Sequence, residues 1–220
     1  MTNKEPLFPY NNLFITARPG TGATTLAISI VNKYLDLGKR CLVFENTSGA
    51  YYLERLRAVR EKKGRPICRP RIDKYGNLTV IYNYFFDAEC ILSKVIEHSC
   101  DVVVYEAPNA LLDRDKELKK LTFELKKRGI RFIFITHLKR KINPLSRAEI
   151  ITPIASRHRR AIAYFDSAAI IYRQDTYGAA GEMSGEIRLY ERGARSYRAV
   201  PVSFDFEHDC VRLKGGQNCE

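Results

Sequence analysis

No apolar run in the chain approaches the roughly 18 to 20 residues that a membrane-spanning helix needs. Its first residues, Met-Thr-Asn-Lys-Glu-Pro, lack the apolar stretch of a secretory signal. Both absences point to a cytoplasmic protein with no membrane partner. There is also no C-x-x-C pair: Cys41, Cys68, Cys90, Cys100, Cys210 and Cys219 are scattered, several of them inside apolar runs. That spacing argues against a zinc site and against a disulfide framework, and predicts reduced thiols serving as small core residues. Neither an internal repeat nor a linker long enough to separate domains is present. The expectation is one domain over residues 1–220, with an N-terminal arm at 1–10 and a C-terminal tail at 207–220.

What the chain has in excess is positive charge. Its 37 Lys and Arg outnumber 25 Asp and Glu, for a formal net charge of +12 and a pI near 9.5. At 25.3 kDa and 45% hydrophobic residues it can bury a substantial core. Such a chain is drawn to polyanions, nucleic acid first among them.

Short runs rich in β-branched residues alternate with segments of helical period, the pattern of an α/β domain with a largely parallel sheet. The runs are Leu13 to Thr16, Arg40 to Phe44, Leu78 to Tyr82, Asp101 to Tyr105 and Arg131 to Thr136. Between them, helices are expected from Leu26 to Leu37, from Ala50 to about Lys62, from Asp87 to His98 with Asp87 as its cap, and from Leu111 to Arg128. Gly38 and Gly129 are natural end signals. Lys63 to Arg71 is a loop by composition. Three further strands, Ile170 to Arg173, Gly185 to Tyr190 and Arg198 to Phe206, follow one another through Gly-rich turns.

The strand, glycine-rich turn and helix at 13–38 form a place for a phosphate, because backbone N–H groups and the positive end of a helix converge there. The turn has the length of a G-x-x-x-x-G-K-[ST] loop. Gly20, Thr21 and Gly22 permit its tight geometry, Thr24 stands where the magnesium-binding hydroxyl belongs, followed by Thr25, and Arg18 is an added cation. Ala23 occupies the lysine position, which removes the point charge placed on the β- and γ-phosphates. On its own the glycine pattern is equally the mark of an ordinary strand-to-helix turn.

The segment Leu13-Phe-Ile-Thr-Ala-Arg-Pro-Gly-Thr-Gly-Ala-Thr-Thr25 resembles the P-loop of the RecA-like motor domain in DnaB-type replicative helicases. Later segments follow in that family's order. Cys41-Leu-Val-Phe-Glu-Asn-Thr-Ser48, with Arg55 and Leu56 downstream, is similar to its second strand and Glu-Met-Ser motif. Val102-Val-Val-Tyr-Glu106 resembles the Walker B strand, and Phe134-Ile-Thr-His-Leu-Lys-Arg140 resembles the strand ending in Ser-Gln-Leu-Asn-Arg. Asp166 to Tyr172 and Gly185 to Arg192 are similar to the two closing strands. The resemblance spans nearly the whole chain and implies a RecA-like P-loop NTPase core: a mostly parallel twisted sheet flanked by helices, with C-terminal antiparallel strands. It further implies ATP and magnesium as ligands, single-stranded DNA as partner, and assembly as a homo-oligomer or helicase subunit.

Departures fall on the positions that the resemblance marks as catalytic. Asn46 stands where the family has the glutamate that activates water, with Glu45 one residue away; an amide cannot accept that proton. Glu106 replaces the Walker B aspartate and is a carboxylate that can still serve magnesium. His137 replaces the sensor glutamine. Arg192 and Arg195 are the two candidates for the basic residues that act on a neighbouring subunit's nucleotide. Together with Ala23, these changes predict ATP and magnesium bound weakly or not at all, and hydrolysis reduced or lost. Two readings stay open: a DnaB-like DNA-binding protein of replication or of a mobile element, and a non-catalytic scaffold docking onto a helicase.

The positive charge concentrates after the sensor strand, at Lys139, Arg140, Lys141, Arg147, Arg157, Arg159 and Arg160. This is where the resemblance puts DNA-binding loops, and such residues bind phosphates in a salt-dependent, sequence-tolerant manner. A solvated basic loop is the plainer alternative. The isolated His98 and His208 suit ordinary hydrogen bonding, and Tyr51, Tyr52, Tyr82 and Tyr84 suit core packing.

Overall fold

The alternating β-branched and amphipathic segments fold into one mixed sheet with helices on both faces. The computed structural model describes residues 12–17, 21–45, 72–82, 87–106, 114–137, 160–177, 182–193, 196–205 and 210–213. The expected arm, the helix at 50–62 and the loop at 63–71 lie outside these residues. In chain order the elements are β1 (Asn12–Ala17), α1 (Ala23–Asp36), β2 (Cys41–Glu45), β3 (Ile72–Tyr75), β4 (Leu78–Tyr82), α2 (Ala88–Glu97), β5 (Val102–Glu106), α3 (Asp115–Lys127), β6 (Arg131–His137), β7 (Ser167–Tyr177), β8 (Glu182–Glu191), β9 (Tyr197–Asp205) and β10 (Cys210–Leu213).

The strand order is β10-β9-β8-β7-β1-β6-β5-β2-β4-β3. Every pair from β7 across to β4 is parallel. The outer pairs β3–β4, β7–β8, β8–β9 and β9–β10 are antiparallel. This is the α/β architecture expected from the sequence, with its C-terminal antiparallel extension.

Period-two alternation divides the sheet's side chains between two cores. Leu13, Ile15, Val43, Val104 and Ile135 join α1, which buries Leu26, Ile30 and Tyr34. On the other face Phe14, Phe44, Tyr105, Phe132 and Phe134 meet α2 and α3 through Ile91, Val95, Leu118, Leu121 and Leu125. Phe165 joins Phe14 and Phe132 there, with ring centroids 5.4 and 5.7 Å away. Parallel strands buried on both faces read as continuous apolar runs, which is why they were visible in the sequence.

The helix ends obey local chemistry. Asp87 Oδ1 accepts from the Glu89 and Cys90 amides at 2.9 and 2.8 Å, as a helix cap does. Gly38 and Gly129 follow α1 and α3, as expected. Three boundaries differ from expectation. α1 begins at Ala23 rather than Leu26, because it starts directly off the turn at Gly22. α3 begins at Asp115 rather than Leu111, where Asp115 and Glu117 set acids in the first turn. Residues 210–213, expected in a tail, form the edge strand β10 on β9. The β3–β4 hairpin, turning at Gly76 and Asn77, was not anticipated although Gly-Asn is a hairpin signal.

Candidate nucleotide site

Because β6 lies between β1 and β5, the carboxyl ends of β1, β6, β5 and β2 form one continuous edge. Ala17 is in register with His137, Ile135 with Glu106, and Glu106 with Glu45. Glu45, Glu106 and His137 each continue the alternating series that faces α1, after Val43, Val104 and Ile135. Three chemically active side chains therefore end on the face where α1 begins.

The start of α1 completes the group. Gly22 is the N-cap, with φ 101°, a left-handed conformation that favours glycine. A second constraint holds it as glycine. A Cβ there would fall 2.7 Å from Cδ1 and Cε1 of Phe204 on β9. The same ring lies 2.9 Å from where a Cβ of Gly185 on β8 would be. One phenyl ring therefore fills the space that two glycines leave open, and fastens the antiparallel extension to the turn before α1. Sequence reasoning did not single out Phe204; its signal was the alternation Val200, Val202, Phe204, all three in or against the α1-side core.

The first helical hydrogen bond is donated by the Leu26 amide to the Gly22 carbonyl at 2.9 Å. The amides of Ala23, Thr24 and Thr25 precede it and have no partner within the helix. The first turn holds no acidic residue, so the positive end of α1 is not neutralised locally. Ala23 is buried at this point and contributes only a methyl group.

Thr24 and Glu106, 82 residues apart, meet here: the threonine hydroxyl donates to Glu106 Oε1 at 3.1 Å. His137 Nε2 lies 3.2 Å from the same oxygen. An ionised carboxylate only accepts, so this contact requires the hydrogen on Nε2. Glu106 is 4% exposed and Glu45 wholly buried, whereas the His137 side chain is 30% exposed. Two buried carboxylates thus stand on adjacent strands at one register level, with a hydroxyl and an imidazole closing round one of them. The imidazole Nδ1 is buried with no hydrogen-bond partner among the described residues.

The other expected site residues divide. Thr21, Gly22, Ala23, Thr24, Thr25, Glu45, Glu106 and His137 are gathered at this edge. Arg192 is not. It follows β8, its amide bonded to the Asp166 carbonyl beside the start of β7, at the amino end of the parallel strands. Arg192 cannot serve its own chain's Thr24 and Glu106. Arg160 is exposed at the start of a short helical turn. Arg18, Gly20, Asn46, Lys139, Arg140, Lys141, Arg147, Arg157, Arg159 and Arg195 lie outside the described residues.

No protein-family model and no curated protein matches the chain. Solved structures do. The KaiC-like protein PH0186 from the hyperthermophilic archaeon Pyrococcus horikoshii OT3 superposes with a TM-score of 0.59 at 15% identity, over 93% of this chain and 89% of that one. The ATPase domain of a DnaB-like helicase superposes with a TM-score of 0.61 at 15% identity, over 92% of this chain and 84% of that one. The fold is RecA-like. At this identity the likeness speaks for the architecture, and the chemistry must come from the side chains in place. No helix among the described residues is long and apolar enough to cross a membrane.

Proposed function

We propose that this RecA-fold chain is a DnaB-helicase-like, DNA-binding protein that has kept the magnesium half of a nucleotide site and lost the lysine half. The observation that carries the reading is the Thr24–Glu106 contact at the head of α1, with Ala23 beside it. A hydroxyl and a carboxylate oxygen form a hard donor pair suited to magnesium. When bound, the ion supplies the positive charge that a triphosphate needs in this place. Thr24 and Glu106 would hold it, and the amides at the start of α1 would receive phosphate oxygens. Glu45 and Glu106 present two carboxylates to that space and Ala23 no ammonium, so nucleotide without a divalent cation would be repelled. Binding is therefore weak and strictly magnesium-dependent, and hydrolysis slow or absent.

Glu45 is the substitute base on this reading, since Asn46 cannot take a proton. Arg192 at the opposite edge, or Arg195, would reach a neighbouring subunit's nucleotide in a homo-oligomer. Lys139, Arg140, Lys141, Arg147, Arg157, Arg159 and Arg160 would hold single-stranded DNA by its phosphates, in replication or a mobile-element process. Ala23 and Asn46 also favour a second reading, a non-catalytic scaffold that docks onto a helicase.

A titration of labelled ATP with and without magnesium and single-stranded DNA tests the proposal. Weak binding that needs magnesium, is lost in Glu106→Ala and is strengthened by Ala23→Lys is expected. Binding indifferent to all three would remove the site from consideration. DNA-stimulated turnover abolished by Glu106→Ala would eliminate the scaffold.

A further inference from the structure

The antiparallel extension turns one face to α1, through Ile187, Leu189, Val202 and Phe204. Its other face carries a row of planar side chains drawn from three strands. The Arg188 guanidinium carbon sits 4.2 Å from the ring centre of Tyr172 and 4.8 Å from that of Tyr197. Tyr197 in turn lies 5.4 Å from Tyr190, centre to centre. Tyr190 rests against the margin of the α2–α3 core, and the row runs outward from it. Ala199 and Pro201, opposite Arg188 and Glu186 on β9, are short and exposed, so β9 sends nothing large across the row.

We propose that this face of β7, β8 and β9 is a stacking platform for the unpaired bases of single-stranded nucleic acid. The inference extends the DNA-binding reading above to a second surface, and rests on it for the existence of a strand.

Three features point to that occupant. First, Tyr197 is 43% exposed, although aromatic side chains that merely pack a core are covered. Second, the hydroxyls of Tyr172, Tyr190 and Tyr197 have no hydrogen-bond partner among the described residues. Burial pushes the Tyr190 phenol above its ordinary range, so it remains a neutral donor. Third, the cations are arranged for phosphate. Arg188 donates through Nε to Glu186 at 2.6 Å, which orients the guanidinium and leaves its Nη edge without a partner among the described residues. Arg192 and Arg198, exposed at the end of the row, have no acidic partner among the described residues.

Exposed rings beside guanidinium groups suit bases followed by phosphates. An acidic peptide would satisfy the arginines and leave the rings unfilled. A second copy of the face would bring Arg192 and Arg198 against their own kind.

The test uses the full chain and two labelled probes of equal length, oligodeoxythymidylate and an abasic phosphodiester, followed by fluorescence anisotropy. Tyr197→Ala is expected to weaken thymidylate binding about tenfold and leave the abasic probe unaffected, with Tyr197→Phe restoring affinity. Arg188→Ala is expected to lower the salt dependence on both probes by about one phosphate contact. If Tyr197→Ala leaves thymidylate binding intact while Arg157→Ala with Arg159→Ala and Arg160→Ala abolishes it, the platform falls and the DNA-binding reading stands. Equal losses on both probes would also overturn the platform, since stacking needs bases. If Tyr197→Ala dissociates an oligomer in sedimentation without affecting either probe, the face is a copy-to-copy interface and the proposal is wrong. If the unaltered protein binds neither probe, both readings fail together.

Discussion

The parallel half of the sheet and its antiparallel extension use charge in opposite ways. At the carboxyl edge of β1, β6, β5 and β2, ionisable groups are covered and bonded to one another: Glu106 is 4% exposed and takes both the Thr24 hydroxyl and the His137 imidazole. On the extension, Arg188 is held between two tyrosine rings with one edge left open, and Tyr197 is largely in solvent. Buried charges in contact demand fixed partners and fix a geometry. Exposed planar groups cost little to leave unpaired and tolerate varied ligands. A covered edge suits a small ligand of set shape, whereas an open face suits a polymer.

Phe204 joins the two regions, and removing it is the most direct way to break the comparison. Phe204→Ala takes away a wholly buried ring packed on Gly22 and Gly185. A loss of ~3–5 kcal/mol is expected, read as a lower urea midpoint at unchanged slope. Magnesium-dependent nucleotide binding should weaken as well, because the turn before α1 loses its support, while Phe204→Leu should recover part of both. Unchanged stability would show that the ring is not the fastening between the halves.

Thiol labelling sharpens the contrast in a milder way. Cys100, at the start of β5 in the parallel half, is 6% exposed, and burial pushes its thiol up to about 12. A thiol ordinarily titrating near 9 then carries about a thousandfold less thiolate at neutral pH. Cys210 on β10 is only half-buried. Peptide mass mapping after brief alkylation should find Cys210 and the exposed Cys90 modified well before Cys100. Equal rates would mean that the parallel half opens as readily as the extension.

The smallest effect concerns acid. Hydrogen bonds from the Cys90 and Glu89 amides hold the Asp87 carboxyl below its ordinary value. A carboxyl lowered in the folded state adds stability above its unfolded pKa near 3.8, and that contribution disappears as pH falls through the folded value. Asp87→Ala should therefore lower the melting temperature at pH 6 and make little difference below pH 3. The change should be confined to α2, as followed by amide exchange.

Much of this was legible in the chain. The runs at β1, β2, β5 and β6 were visible because burial on both faces leaves them continuously apolar, and Asp87, Gly38 and Gly129 marked helix ends by local chemistry. Thr24, Glu106 and His137 could be picked out by their places at element ends. The edge strands were harder. β3 and β10 have four residues each, too short for a period to register. Phe204 and the Tyr172–Arg188–Tyr197 row escaped notice because their meaning lies across strands, where neighbours are far apart in sequence.

By itself the sequence determined which segments are strands and helices, where the helices stop, and that a phosphate-loop turn would carry alanine in place of lysine. Those are local properties, set by side-chain period, caps and single residues. Only the tertiary structure decided that β6 would separate β1 from β5, and so bring Thr24 and His137 to one oxygen of Glu106. It also decided that Arg192 would stand at the far edge, and that a ring from β9 would close on Gly22. Strand order and register arise from contacts between distant segments competing for a shared core, and no window of adjacent residues contains that competition.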